Sequence, residues 1–166
     1  MPMIKLLSCP IAPGEGHAAG RRLLGELCGG SLPEIRILER GKPVFTDSPL
    51  HFSISHTARH AFCVLSDVPV GLDAEELDRK IRPELAEKIL SPGELAQYRR
   101  AEDKRLALLT FWVLKEAQVK LSGEGLRSYP NGTDFSLDDP RVQVLEGCLV
   151  AIITENDHLE GGNHAV

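Results

Sequence analysis

Asp73 and Glu75 stand two residues apart in the run Val70-Gly71-Leu72-Asp73-Ala74-Glu75-Glu76. The apolar character of this run reads as a strand. Strand side chains alternate faces, so Val70, Leu72 and Ala74 point one way while Gly71, Asp73 and Glu75 point the other. Two carboxylates then share a face with Cα atoms ~6.5–7 Å apart. At that spacing they can grip one divalent cation between them and are too close to stay comfortably ionised without one. The same residues also fit a strand running into an acidic helix start, because Glu75-Glu76 precede a charged stretch.

A third carboxylate, Glu116, lies in the long helical stretch expected from Glu102 to Ser122. Projected at about 100° per residue, Leu109, Trp112, Val113, Val119 and Lys120 fall within ~60° of it. An ionisable pair, Glu116 and Lys120, is thus expected in the middle of the most apolar stripe. A buried carboxylate without a partner costs several kcal/mol, so its presence there points to a cation or a function, or to an i, i+4 pair with Lys120. Lys115 projects to a different side, with Lys104, Phe111, Gln118 and Ser122, and reads as a solvated helix lysine. Oxygens from Asp73, Glu75 and Glu116 together make a hard-cation site of the kind magnesium prefers, with room for water and phosphates.

The elements that must hold these groups can be read in order. A strand is expected over Ile4 to Ser8 and a helix over Gly16 to Leu27, with Ala19, Leu23, Leu24 and Leu27 at helical spacing and Gly29-Gly30 as the stop. Glu34 to Glu39 reads as a strand and Gly41-Lys42-Pro43 as a turn. His51 to His56 alternates cleanly, with Phe52, Ile54 and His56 on one face and Ser53 and Ser55 on the other. The apolar run Ala61 to Leu65 follows, and the three successive strands ending with the Asp73 stretch suggest an antiparallel meander. Pro83 to Leu90 reads as a short helix. Ser91-Pro92-Gly93-Glu94 carries a capping box with Pro at the first helical position. Gly123 and Gly125 stop the long helix. The remainder is turn-rich, around Pro130-Asn131-Gly132 and Asp138-Asp139-Pro140, with Leu149 to Thr154 the clearest strand and a frayed tail from Gly161.

The chain has 166 residues, 42% hydrophobic and 26% charged, which fits one soluble globular domain with a real core. It contains no apolar run long enough to cross a bilayer and no secretory leader pattern, so a cytoplasmic location is expected. The net charge of −5 argues against a broad duplex nucleic-acid surface while leaving room for a small anionic ligand. Cys9, Cys28, Cys63 and Cys148 are scattered singly in apolar company, which assigns neither zinc nor a disulfide framework.

Four ordered motifs carry a resemblance. Gly41-Lys42-Pro43, Phe52-Ser53-Ile54-Ser55-His56-Thr57, Val70-Gly71-Leu72-Asp73-Ala74-Glu75 and Trp112-Val113-Leu114-Lys115-Glu116-Ala117-Gln118-Val119-Lys120 resemble the 4'-phosphopantetheinyl transferase superfamily. The likeness is closer to the larger, surfactin-synthetase-activating type than to the short trimeric holo-acyl-carrier-protein synthase type, and covers roughly positions 17 to 125.

The resemblance implies an α+β fold, an antiparallel sheet packed on a long helix, with the first half of a pseudo-dimer abbreviated because only 40 residues precede Gly41. It implies one domain over 1–166: a shortened N-terminal part at 1–50, the half holding the metal and coenzyme A site at 51–155, and the tail at 156–166. The implied activity is magnesium-dependent transfer of 4'-phosphopantetheine from coenzyme A to a serine of an acyl or peptidyl carrier protein, releasing adenosine 3',5'-bisphosphate. Asp73, Glu75 and Glu116 are the implied Mg2+ ligands. Lys120 is implied at the pyrophosphate, and Arg21, Lys42, Pro43, Ser55 and His56 at the nucleotide end, including its 3'-phosphate. Glu116 is the choice for the base that takes the serine proton, directly or through a metal-bound water, and Lys120 is the second catalytic group.

Two other classes fit the same acids: a metal-dependent phosphodiesterase or nuclease, and a catalytically silent nucleotide- or carrier-binding paralogue. Carrier proteins are typically acidic, which makes Arg99, Arg100, Lys104 and Arg105 docking candidates, although the interleaved Glu102 and Asp103 also fit a solvated face. Neither nucleic acid nor membrane is an expected partner.

Overall fold

The computed structural model describes residues 2–123 and 133–155. Twelve elements follow one another among them: β1 (Ile4–Pro10), α1 (Gly16–Leu27), β2 (Ile35–Ile37), β3 (Pro43–Phe45), β4 (His51–His56), β5 (His60–Ser66), β6 (Val70–Glu76), α2 (Leu85–Ile89), α3 (Pro92–Arg100), α4 (Lys104–Ser122), β7 (Val142–Leu145) and β8 (Cys148–Thr154). The expectations at Gly125, Pro130-Asn131-Gly132 and the tail from Gly161 lie outside the described residues.

Local chemistry accounts for the helix ends. The Ser91 hydroxyl accepts from the Glu94 N–H while the Glu94 carboxylate accepts from the Ser91 N–H, completing the expected capping box of α3. The long helix begins two residues later than its periodicity suggests, because the Asp103 carboxylate accepts from the Leu106 N–H at 3.0 Å and so fixes Asp103 as the N-cap. It ends at Gly123, which takes the left-handed conformation at φ 72°. A strand at Pro43–Phe45, paired with Ile35–Ile37, replaces the end of the expected turn at Pro43.

The strands form two three-stranded antiparallel sheets, β1-β5-β4 and β6-β8-β7, and the β2-β3 hairpin. This corrects the meander expectation. β4 and β5 pair as foreseen, but β1 already occupies the other edge of β5, so no free edge remains for the next strand. The chain turns through Asp67–Pro69, and β6 pairs instead with β8.

Alternation along each strand then builds layers. Ala61, Cys63 and Leu65 of β5 pack with Ala19, Leu23 and Leu24 of α1 and with Phe52 of β4. The opposite face of β5, Phe62 and Val64, meets Val70, Leu72 and Ala74 of β6 and Cys148 and Val150 of β8. On the far face of the second sheet, Leu149, Ala151 and Ile153 pack against Leu109, Val113 and Ala117 of α4. The order is therefore α1, first sheet, second sheet, α4. No described helix is long and apolar enough to cross a membrane.

Candidate functional site

The site is set by how closely α4 lies on β6. A Cβ built on Gly71 would sit 2.0 Å from the Ala117 carbonyl oxygen and 2.6 Å from the Leu121 nitrogen. Both are backbone atoms that cannot swing away, so only glycine permits this approach. Gly71, Asp73 and Glu75 share the face turned to α4, as the alternation requires, and Glu116 and Lys120 flank Ala117 on the facing helix.

β4 fixes the free edge of β6 through two serines spaced at the strand period. Ser53 Oγ accepts from the Leu72 N–H at 3.0 Å, and Ser55 Oγ accepts from the Ala74 N–H at 3.1 Å. Ser55 Oγ also donates to Asp73 Oδ1 at 3.3 Å. Phe52, Ile54 and His56 occupy the other face, toward α1, as expected. Ser53 carried no functional expectation. Its alternation with Ser55 opposite an apolar face was the available signal.

Asp73 is 6% exposed, and Lys120 Nζ donates to its Oδ1 at 3.0 Å. Its Oδ2 is buried and has no hydrogen-bond partner. Burial pushes the carboxyl up to about 7, against the pull of Lys120 and with the added repulsion of Glu75 and Glu116. Glu75 is half-buried and also raised, chiefly by burial, while Arg79, the Trp112 indole and Lys120 favour its charged form. Trp112 Nε1 donates to Glu75 Oε1 at 3.1 Å, and Arg79 pairs with the same oxygen. Trp112 and Arg79 were not anticipated in these roles.

The three acids thus feel one another electrostatically, but their donor atoms do not converge within 4.8 Å. Lys120 and Arg79 sit on the carboxylates. The residues nonetheless fit a hard cation: three oxygen donors on facing elements, one buried oxygen left unpaired, and charge that repels itself. Lys120 holds Asp73 Oδ1 and Arg79 holds Glu75 Oε1, which leaves Asp73 Oδ2 as a buried oxygen available to a cation.

Beside Lys120 opens a cavity of about 270 Å³ that Lys42, Pro43, Ser53, Ile54 and Gly123 also line. Lys42 Nζ donates to the Leu121 carbonyl at 2.7 Å, and burial lowers the ammonium from its usual range. The structure therefore brings Lys42, Pro43 and Lys120 to one cavity. His56 is exposed and lines a separate cleft with Gly16 and His17, its ring so close to Gly16 that a Cβ there would lie 2.4 Å away. Arg21 is half-buried on α1 and borders neither space.

Two expectations on α4 are corrected. Glu116 and Lys120 lie half-buried at the margin of the packed surface, not at its centre, which runs through Leu109, Val113 and Ala117. Lys115 is not solvated: it is 3% exposed and pairs at 2.7 Å with Glu94, itself fully buried. The helix is covered by the sheet on one side and by α3 and the segment around Phe135 on another, so a single-stripe projection understates its burial. Glu94 also accepts from the Phe135 N–H at 2.9 Å, which satisfies the acceptors that make such a pair tolerable. Of the basic residues considered for docking, Lys104 donates to the carbonyls of Arg99 and Ala101, and Arg105 to those of Leu77 and Arg79.

The family model described as "4'-phosphopantetheinyl transferase superfamily" matches residues 69–159, more than half of the chain. The sequence is 32% identical over 140 residues to "4'-phosphopantetheinyl transferase gsp" of Aneurinibacillus migulanus, covering 76% of this chain and 57% of that protein. It is 35% identical over 89 residues to "4'-phosphopantetheinyl transferase psf-1" of Bacillus pumilus, covering 52% of this chain and 38% of that protein. It is 31% identical over 96 residues to the 4'-phosphopantetheinyl transferase of Bacillus subtilis, covering 54% and 41%. The chain spans about half the length of these relatives.

Proposed function

Because the chain belongs to the 4'-phosphopantetheinyl transferase superfamily, we propose that it transfers the 4'-phosphopantetheine group of coenzyme A to a serine of an acyl or peptidyl carrier protein. The observation that carries this reading is Asp73, buried with one unpaired oxygen between Lys120 and two further acids, next to a cavity bordered by Lys42 and Pro43. In this reading the two three-stranded sheets stand for the two halves of the larger family type.

Coenzyme A binds with its nucleotide toward the cavity of Lys42 and Pro43. Roles for His56 and Arg21 at the 3'-phosphate require the nucleotide to extend beyond that cavity to the α1 side, where His56 lines its own cleft. Asp73, Glu75 and Glu116 would hold Mg2+, which would supply charge neutralisation at the pyrophosphate and the leaving oxygen. Lys120, released from Asp73, turns its ammonium to the pyrophosphate. The carrier serine hydroxyl attacks the β-phosphorus in line, its proton passes to Glu116 directly or through a water, and the bond to the bridging oxygen breaks to free adenosine 3',5'-bisphosphate. Trp112 and Arg79 orient Glu75, and Ser55 orients Asp73, so the acids are positioned before substrate arrives.

The test is mass spectrometry of a panel of apo acyl and peptidyl carrier proteins after incubation with coenzyme A and magnesium. The expected result is a phosphopantetheine adduct on the carrier serine that disappears in Glu116→Gln and in chelator. Hydrolysis of coenzyme A with no adduct on any carrier would favour a phosphodiesterase. Binding without turnover, unchanged in Glu116→Gln, would favour a silent paralogue.

A further inference from the structure

Behind the strand that carries Asp73 and Glu75, three side chains of metal-ligating type meet. His60, Glu76 and Cys148 each present one donor atom, and the three atoms lie within 4.8 Å of one another. His60 Nδ1 is 3.0 Å from Glu76 Oε1 and 3.6 Å from Cys148 Sγ. Tetrahedral zinc, with bonds of about 2.0–2.1 Å to nitrogen and oxygen and about 2.3 Å to sulfur, sets its ligands ~3.3 Å apart for nitrogen and oxygen and ~3.6 Å for nitrogen and sulfur. The nitrogen–sulfur spacing equals this value and the nitrogen–oxygen spacing is about 0.3 Å shorter, so side-chain adjustment alone can bring the donors to one ion.

From this geometry we infer that His60, Glu76 and Cys148 form a zinc site, separate from the carboxylate face of β6 and independent of the transferase reading. The site goes beyond the sequence reading, which assigned no zinc to the scattered cysteines, because the partner ligands of Cys148 are remote in sequence. Each ligand is fixed by regular structure. Glu76 and Cys148 stand directly opposite in the β6-β8 ladder, and Cys148 follows a two-residue hairpin turn whose Glu146 and Gly147 have φ of 52° and 74°. His60 opens β5 just after the turn from β4.

Outer contacts orient the carboxylate as they do in built metal sites. Thr57 Oγ1 donates to Glu76 Oε1 at 2.6 Å, and Arg59 donates to Oε2 at 3.2 Å. Thiolate, carboxylate and zinc sum to zero charge, and the Arg59 guanidinium, itself paired with Asp78, rests on the outer oxygen. The His60 side chain is 19% exposed, which leaves an entry path for an ion. The mixed nitrogen, oxygen and sulfur set selects zinc over magnesium, which takes oxygen donors. Such an ion clips the β4-β5 turn to the ends of β6 and β8, so that it braces the strand on which Asp73 and Glu75 stand.

Cobalt(II) titration of the chelator-stripped protein reads this directly, because a thiolate ligand gives cobalt a near-ultraviolet charge-transfer band. A single equivalent is expected to produce that band, to resist excess magnesium, and to be displaced by zinc. Cys148→Ser should abolish the band, and His60→Gln should weaken cobalt binding by more than about 10-fold, the least that even an outer partner of a metal ligand contributes. Asp73→Asn should leave the band intact. Its absence in the wild type, its persistence in Cys148→Ser, or its loss in Asp73→Asn would overturn the assignment. His60→Gln carries the test if Cys148→Ser does not fold.

Discussion

Replacing Asp73 with asparagine should stabilise the metal-free protein, and the gain should grow with pH. The side chain is buried and its carboxyl is pushed from an ordinary 3.8 up to about 7. Between those limits the unfolded chain has already lost this proton while the native chain keeps it. Stability therefore falls as pH rises from about 4 to about 7 and is level on either side as far as this group is concerned. At about 1.4 kcal/mol per pH unit the wild type loses about 4 kcal/mol over that window, and Asp73→Asn, which cannot ionise, does not. The asparagine amide is isosteric and can keep the Ser55 contact, so the two proteins should be nearly equal near pH 4. For a chain of this length a difference of about 4 kcal/mol corresponds to ~8–16 °C in the thermal midpoint. Urea unfolding in chelator, followed through the single tryptophan, Trp112, measures the gap at each pH. A gap that is flat across the window, or that favours the wild type above about pH 7, would refute the account of Asp73 as a group the fold holds against its own ionisation. Adding magnesium near pH 8 should narrow the gap by stabilising the wild type alone.

Gly71→Ala places a Cβ against the backbone of Ala117 and Leu121, so it should cost about 3 kcal/mol or more in urea unfolding and take transfer activity with it. Glu94→Gln strands the buried Lys115 ammonium and should destabilise by ~3–5 kcal/mol, much of which the double change Glu94→Gln with Lys115→Met should restore; equal losses in the single and double variants would count against a buried ion pair. Lys120→Met should lower kcat/KM about 100-fold, the order found for loss of one charge-stabilising group. It should also move the Asp73 titration further upward, because Lys120 is what favours the charged carboxylate, and a difference in metal-free stability between pH 7 and 8 reads this.

The local chemistry of the chain was legible before any fold was known. Period-two alternation placed Asp73 and Glu75 on one face and Ser53 and Ser55 on another. The Ser91 and Glu94 spacing fixed the start of α3, since a capping box is closed by residues three apart. The order of four short motifs gave the family, which the match over residues 69–159 bears out. These are properties of neighbours along the chain, and neighbours constrain one another through backbone geometry alone.

What the sequence left open depended on which surfaces meet. Whether β6 joined β5 or β8 turned on β1 filling the second edge of β5, a pairing that closes across some fifty to sixty residues (Ile4 with Ser66, Pro10 with His60). Whether Lys115 faced water turned on α3 and Glu94 covering its side of α4. Arg79 and Lys120 pairing with the acids, and Glu76 meeting His60 and Cys148 behind them, likewise follow from long-range packing. A side chain's partner is decided by the free energy of burying it, and burial is set by distant segments that no local pattern names.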